Sequence, residues 1–239
     1  MWTLGRLLAE VGELLYPSAC AVCGEPLTDH EELLCTLCRI TAPLTGYERE
    51  ALNPVLAKFD GLVPVERASA MLFFQQQSGW QRLIHDFKYH QAWRIARQMG
   101  IWYGNRLRQS GLYDDIDLVV PMPLHPLKQL RRGYNQSSYL AEGIASAMGL
   151  RVARRAVRRR RNTSSQAQTP MRQRASNVED AFSVRTPRLL QGRHLLLVDD
   201  VLTTGSTMIS LIEAIRQAVP DCRISVAVLA APRAPLGEE

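Results

Sequence analysis

The chain has 239 residues, 46% of them hydrophobic, so it can bury one substantial core and carry a small extra module. Twenty-nine Lys and Arg against 23 Asp and Glu leave a formal charge of +6, a moderate positive balance. No run approaches the roughly eighteen apolar residues of a membrane-spanning helix, which argues against a protein of that class.

Residues 1–17 place Leu4, Leu7, Leu8, Val11, Leu14 and Leu15 at helical spacing. Arg6, Glu10 and Glu13 interrupt the apolar run, so the stretch predicts an amphipathic helix and no signal peptide, and the expected location is cytoplasmic. A small module follows at residues 18–45. Cys20, Cys23, Cys35 and Cys38 form CAVC and CTLC, two CxxC pairs separated by eleven residues. Each pair can fold into a knuckle that points two thiolates at one tetrahedral ion, and Zn2+ in a structural role is the expected metal. Two disulfides are the competing reading. Nothing else in the chain suggests an oxidising compartment, and the fifth cysteine, Cys222, is left over and fits a small buried residue. Four thiolates around Zn2+ carry two net negative charges, which trims the basic excess.

A connector through Gly61 and Pro64 leads into residues 60–239, the expected main domain. Ala68–Phe74 predicts a strand, QQQSG a turn, and Trp80 to Gln109 a helical stretch broken near His90, with its aromatic residues expected in the core. From Asp117 the pattern alternates: strand DLVVP, helix from about Asn135 to Met148, strand near Val152–Val157, strand Leu195–Val198, helix Ser206–Gln217, strand Ile224–Leu229. Such alternation predicts an α/β fold, a largely parallel sheet flanked by helices with ligands at the strand carboxyl ends.

Three segments carry chemistry. In VVPMPLHPLKQLRRGYNQS a strand breaks at Pro121 and Pro123 into a basic loop with Lys128, Arg131 and Arg132, and Asn135 is placed to cap the next helix. The segment RRRRNTSSQAQTPMRQRASNVEDAF is too long for an ordinary connection, and its small polar centre from Asn162 to Thr169 predicts a mobile lid or a solvated basic loop. With Arg151, Arg154 and Arg155, its Arg158, Arg159, Arg160 and Arg161 make seven arginines in eleven positions, a density that attracts polyphosphate without reading sequence.

The third segment, LLLVDDVLTTGST, runs from a buried strand into two carboxylates, a hydroxyl-rich turn and a helix. Backbone N–H groups of Thr203, Thr204, Gly205 and Ser206 at a helix mouth are unpaired donors suited to a phosphate. Asp199 and Asp200 can accept from ribose hydroxyls or hold a hydrated Mg2+. A purely structural turn with capping acids leaves the double Asp unexplained, because paired carboxylates repel a phosphate unless a diol or cation stands between.

This block resembles the signature with which type I phosphoribosyltransferases bind 5-phosphoribosyl-1-pyrophosphate. The resemblance implies that Asp199 and Asp200 take the ribose 2′ and 3′ hydroxyls while Thr203, Thr204, Gly205, Ser206 and Thr207 take the 5′-phosphate. It also implies that Lys88, Arg131 and Arg132 serve the same ligand, and that Arg172 and Arg174 neutralise the departing pyrophosphate, giving Asp199, Asp200, Arg172 and Arg174 as the catalytic set. Across nearly the whole chain the order of motifs is similar to the ComF/GntX family of bacterial competence and DNA-utilisation proteins, whose main domain is phosphoribosyltransferase-like and whose N-terminal module is a zinc ribbon. The shared motifs are the CxxC pairs after LLYPSAC, FKYH with Lys88 and Tyr89, PMPLH, RRGYNQ, then Thr163, Gln166, Arg174, Asn177, Ala181 and Phe182, and finally VDDVLTTGST. Lys128 stands where arginine is usual and Thr169 where leucine is usual. The resemblance implies a DNA-uptake or DNA-utilisation role with DNA-uptake machinery proteins as expected partners, and Arg158, Arg159, Arg160 and Arg161 fit single-stranded DNA, the pyrophosphate end of the site or a merely solvated loop equally well. A nucleobase-salvage phosphoribosyltransferase is the alternative, one that needs neither the cysteine module nor the arginine run.

Overall fold

A computed structural model describes residues 19–74, 76–86, 93–160 and 181–233. The expected helix at 1–17, Lys88 and Tyr89, and the stretch 161–180 with Arg161, Arg172 and Arg174 lie outside the described residues.

Seven strands are described: β1 (Ala68–Phe74), β2 (Leu118–Pro121), β3 (Arg151–Val152), β4 (Val157–Arg159), β5 (Phe182–Val184), β6 (His194–Val201) and β7 (Arg223–Pro232). Five of them form a sheet in the order β1-β7-β6-β2-β3, every pair parallel. Parallel strands covered on both faces read as continuous apolar runs, and Leu195, Leu196, Leu197 and Val198 in central β6 are all fully buried. β4 and β5 pair antiparallel as a separate ribbon.

The helices are α1 (Thr36–Ile40), α2 (Gly79–Asp86), α3 (Trp93–Ser110), α4 (Pro126–Arg132), α5 (Gln136–Met148), α6 (Pro187–Leu190) and α7 (Ser206–Ala218), with 3-10 turns at Tyr47–Arg49 and Leu56–Phe59. Leu83 of α2, Met99 of α3 and Ile144 of α5 share a core with Leu196 and Val198 on one face of the sheet. Leu211, Ile212 and Ile215 of α7 pack with Leu195 and Leu197 on the other. α3 and α5 run side by side at backbone contact. A Cβ on Gly100 would collide with the carbonyl oxygen of Leu140, and one on Gly143 with that of Arg97.

The cysteine module is welded to this core. Cys20, Val22, Leu34 and Cys38 belong to the same buried cluster as Met71, Leu72 and Leu83, and a Cβ on Gly79, at the start of α2, would run into the Val22 carbonyl. Its exit segment lies antiparallel along edge strand β1. Leu44 bridges to Leu72, Thr45 N–H donates to the Met71 carbonyl (3.0 Å), and Phe73 N–H donates to the Pro43 carbonyl (2.8 Å).

Three elements differ from expectation. The strand anticipated near Val152–Val157 is two strands, because the chain turns at Arg154 and Arg155 and leaves β2 for the β4–β5 ribbon. The basic loop contains α4, started by Pro126 with His125 as its cap and stopped by Gly133 at φ 82°. Trp80 and Tyr103 are buried as expected, whereas Trp93 is 36% exposed. No helix among the described residues is long and apolar enough to cross a membrane.

Candidate functional site

Two helices begin at the carboxyl end of the sheet, where β6 delivers its paired acids. β6 extends beyond the predicted strand and keeps both acids in the ladder, with Asp199 opposite Val228 and Val201 opposite Ala230. Alternation along a strand then sends the two side chains to opposite faces. α5 supplies a partner for each. Ser137 Oγ donates to Asp199 Oδ1 (2.9 Å), and Gln136 Nε2 donates to Asp200 Oδ2 (3.3 Å). Asp199 Oδ1 also accepts the N–H of Asp200, and Asp200 Oδ1 that of Val201, both at 2.9 Å.

The start of α5 is fixed in turn by Asn135. Its Oδ1 accepts the Ser137 N–H (3.2 Å) while its Nδ2 donates to the Met122 carbonyl (2.9 Å), tying the helix N-terminus to the end of β2. Arg132 Nη1 donates to Gln136 Oε1 (3.4 Å), so a chain of contacts runs from α4 through Gln136 to Asp200. Gln136 and Ser137 were not among the predicted site residues. They sit in the quoted RRGYNQS motif, but their partners are more than sixty positions away.

Burial and the neighbouring Asp200 carboxylate push the Asp199 carboxyl well above the usual range. A diol or cation at this point would relieve that cost. Cations gather beside it. Lys128 is drawn down by burial and by Arg159, Arg132 and Arg131, whose like charges oppose its own. Arg159 is drawn down by burial and held up by Asp199. Its guanidinium lies 5.5 Å from the Phe182 ring centroid, at the base of the β4–β5 ribbon. Of the predicted residues, Lys128, Arg131, Arg132, Arg159 and Asp199 therefore sense one another. Arg158, in β4, and Arg160, just after it, are exposed.

Thr203, Thr204 and Ser206 are exposed on the turn that follows, with Thr207 part-buried in the first turn of α7. Gly205, at φ 81°, is the N-cap and offers no side-chain cap, so the first N–H groups of α7 have no intrahelical acceptor. Thr204 Oγ1 and Ser206 Oγ lie 3.2 Å apart on the same turn. The result is a cluster of donors able to take an anion within the same strand–helix unit as the acid pair.

At the other end of the chain, the sulfur atoms of Cys20, Cys23, Cys35 and Cys38 all lie within 4.8 Å of one another, and Cys23 and Cys35 approach to 3.7 Å. A tetrahedral Zn2+ with Zn–S bonds of about 2.3 Å sets its sulfurs about 3.8 Å apart. All five cysteines are free, and the 3.7 Å approach of Cys23 to Cys35 fits shared coordination better than a disulfide of about 2.0 Å. The Cys35 N–H donates to Cys20 Sγ and the Cys38 N–H to Cys35 Sγ, both at 3.4 Å. Burial opposes ionisation of Cys20, but the N–H groups of Cys23, Cys35 and Val22 outweigh it and bring the thiol down to about 6. This donor set can hold a metal ion such as zinc.

The family model described as phosphoribosyl transferase domain matches residues 135–239. The chain is 30% identical over 214 residues to the DNA utilization protein YhgH of Escherichia coli O6:H1, covering 82% of this chain and 89% of that relative. It is 29% identical over 139 residues to Competence protein F of Haemophilus influenzae, covering 56% of this chain and 61% of that one. Among solved structures it is similar to the allosteric regulatory enzyme of purine biosynthesis, with a TM-score of 0.41 and 16% identity, spanning 60% of this chain and 30% of that chain.

Proposed function

Since the chain belongs to the ComF/GntX family of competence and DNA-utilisation proteins, we propose that its phosphoribosyltransferase domain binds 5-phosphoribosyl-1-pyrophosphate together with Mg2+ in the service of DNA uptake or use. The observation that carries this reading is the acid pair held by the first residues of α5, with Asp199 buried at the cost of its charge, beside crowded cations. Asp199 is costly to ionise without a diol or cation, and Lys128, with Arg131, Arg132 and Arg159 around it, is costly to protonate without an anion.

In this reading Asp199 and Asp200, oriented by Ser137 and Gln136, accept the ribose hydroxyls and a hydrated Mg2+. The turn from Thr203 to Thr207 holds the 5′-phosphate with backbone N–H groups and hydroxyls. Arg131, Arg132 and Lys88 serve the pyrophosphate, and Arg172 and Arg174 neutralise it during any transfer. Mg2+ neutralises diphosphate charge when bound. The four cysteines hold a structural Zn2+, which suits a reducing cytoplasm. The arginines of the ribbon attract single-stranded DNA, and proteins of the uptake machinery are the further partners.

Calorimetric titration of the zinc-loaded protein with 5-phosphoribosyl-1-pyrophosphate, with and without Mg2+, tests the reading. Magnesium-dependent heat that Asp200→Asn removes is the expected result; heat absent in wild type, or unchanged in the variant, overturns it. A pyrophosphate-release assay across nucleobases and single-stranded DNA then separates a binding switch from a transferase, including the salvage alternative.

A further inference from the structure

α3 buries Ala96, Met99, Gly100, Tyr103, Gly104 and Leu107, yet opens with a tryptophan that contributes nothing to that face. Trp93 is 36% exposed. Its ring meets Tyr139 of α5 at 5.5 Å between centroids and an interplanar angle of 36°, and Tyr139 in turn meets Tyr134 edge-on at 5.8 Å. The guanidinium of Arg94, itself exposed, sits 5.3 Å from the Trp93 centroid. An indole face at the surface with an exposed guanidinium over it is a place where a further planar group can stack and a phosphate can meet a cation.

Its neighbourhood identifies that group. Tyr134 lies between α4, which carries Lys128, Arg131 and Arg132, and α5, whose first residues hold Asp200 and Asp199. The aromatic stack is thus continuous with the basic end of the candidate site. Aromatic faces interleaved with cations suit unpaired bases linked by phosphates: each base has a face to stack, and each phosphate takes a guanidinium. A duplex hides those faces.

We propose that single-stranded DNA crosses the rim formed by the first turns of α3 and α5, with a base stacked on Trp93 beside Tyr139 and with Arg94 on a flanking phosphate. When the base arrives, Arg94 leaves the ring, because base stacking exceeds an exposed cation–ring contact, and the freed guanidinium takes the phosphate. The inference rests on the DNA-utilisation reading and gives it a location away from the arginines of the β4–β5 ribbon.

Fluorescence anisotropy with labelled oligothymidylate and with an abasic oligomer of equal length is the test. Wild type is expected to bind oligothymidylate more tightly than the abasic strand. Trp93→Ala lowers oligothymidylate affinity by about 5- to 150-fold, leaves abasic binding and the salt slope unchanged, and Trp93→Phe restores most of the loss. Equal binding of the two oligomers by wild type overturns the proposal without recourse to any variant, as does Trp93→Ala binding at wild-type strength. Magnesium-dependent binding of 5-phosphoribosyl-1-pyrophosphate, measured on the same samples, reports the other reading separately. If that heat is absent while the two oligomers still differ, the phosphoribosyl site falls and the DNA platform stands; the reverse pattern removes the platform alone.

Discussion

Asp199→Asn should make the ligand-free protein more stable while costing it its ligand. The substitution preserves shape: the amide oxygen can still accept from Ser137 Oγ and from the Asp200 N–H, the two contacts that Asp199 Oδ1 makes at 2.9 Å. What disappears is a carboxylate displaced upward by burial and by its neighbour Asp200. Relieving strain of this kind at a functional site contributes about 0.5–2 kcal/mol, and at roughly 2–4 °C per kcal/mol for a chain of this size that raises Tm by about 1–8 °C. Losing charge-assisted bonds to the ribose and the hydrated cation should weaken binding by about 1–3 kcal/mol. The pH dependence has a definite sign. The folded pKa lies above the unfolded one, so between them the unfolded chain holds fewer protons and wild-type stability falls as pH rises through that window. The variant lacks this titration, so its advantage should be full above the folded pKa and vanish near the unfolded value of about 3.9. Calorimetric scans of both proteins from mildly acid to mildly alkaline pH measure it. A variant no more stable than wild type at neutral pH, or a Tm difference constant with pH, would refute the reasoning.

Purified protein should contain one zinc per chain by elemental analysis, and Cys20→Ser or Cys38→Ser should lose it. Because Cys20 and Cys38 share a core with Leu72 and Leu83, the metal-free chain should lose stability throughout, seen as one lowered unfolding transition; a separate early transition for the module alone would contradict this. Gly79→Ala should cost about 1–3 kcal/mol by thermal denaturation, since its Cβ meets the Val22 carbonyl, backbone that cannot swing aside as the Val22 side chain could; unchanged stability would show that the contact is loose. Gly205→Val should behave differently. A left-handed φ of 81° costs a side chain about 1–2 kcal/mol, while the nearest atoms to its Cβ, on Ile209 and Phe59, stand at ordinary contact, so the larger loss should appear in 5-phosphoribosyl-1-pyrophosphate titration.

Strand β6, its acids, the TTGST turn and α7 are contiguous, so their order along the chain displays both the fold and the chemistry. The CxxC pairs are legible for the same reason: four cysteines within nineteen residues need only a short hairpin to meet. Gln136 and Ser137 escaped notice because their role depends on where α5 starts relative to β6, a tertiary fact that no local pattern encodes. α4 was hidden by its prolines and arginines, which read equally well as a loop until the Pro126 start and Gly133 stop are paired across seven residues. Trp93 reads as a core residue because periodicity identifies a helix more readily than it identifies which end of the helix outruns its neighbours. The Leu44–Leu72 bridge belongs to this group also, being one antiparallel contact without a strand signature of its own.

The glycine contacts between α3 and α5 act as the fulcrum of a lever. Gly143 stands seven residues from Gln136, about 10 Å along the helix axis at 1.5 Å per residue. Were a methyl group to force the axes apart at that crossing, α5 would shift as a rigid rod and carry its first turn with it, lengthening the Ser137–Asp199 bond. The methyl groups absent at Gly100, Gly143 and Gly104, whose Cβ would meet the Ile144 carbonyl, therefore set the alignment of side chains at the rim, and a harmless-looking alanine far from any ligand would be felt first as a misaimed carboxylate.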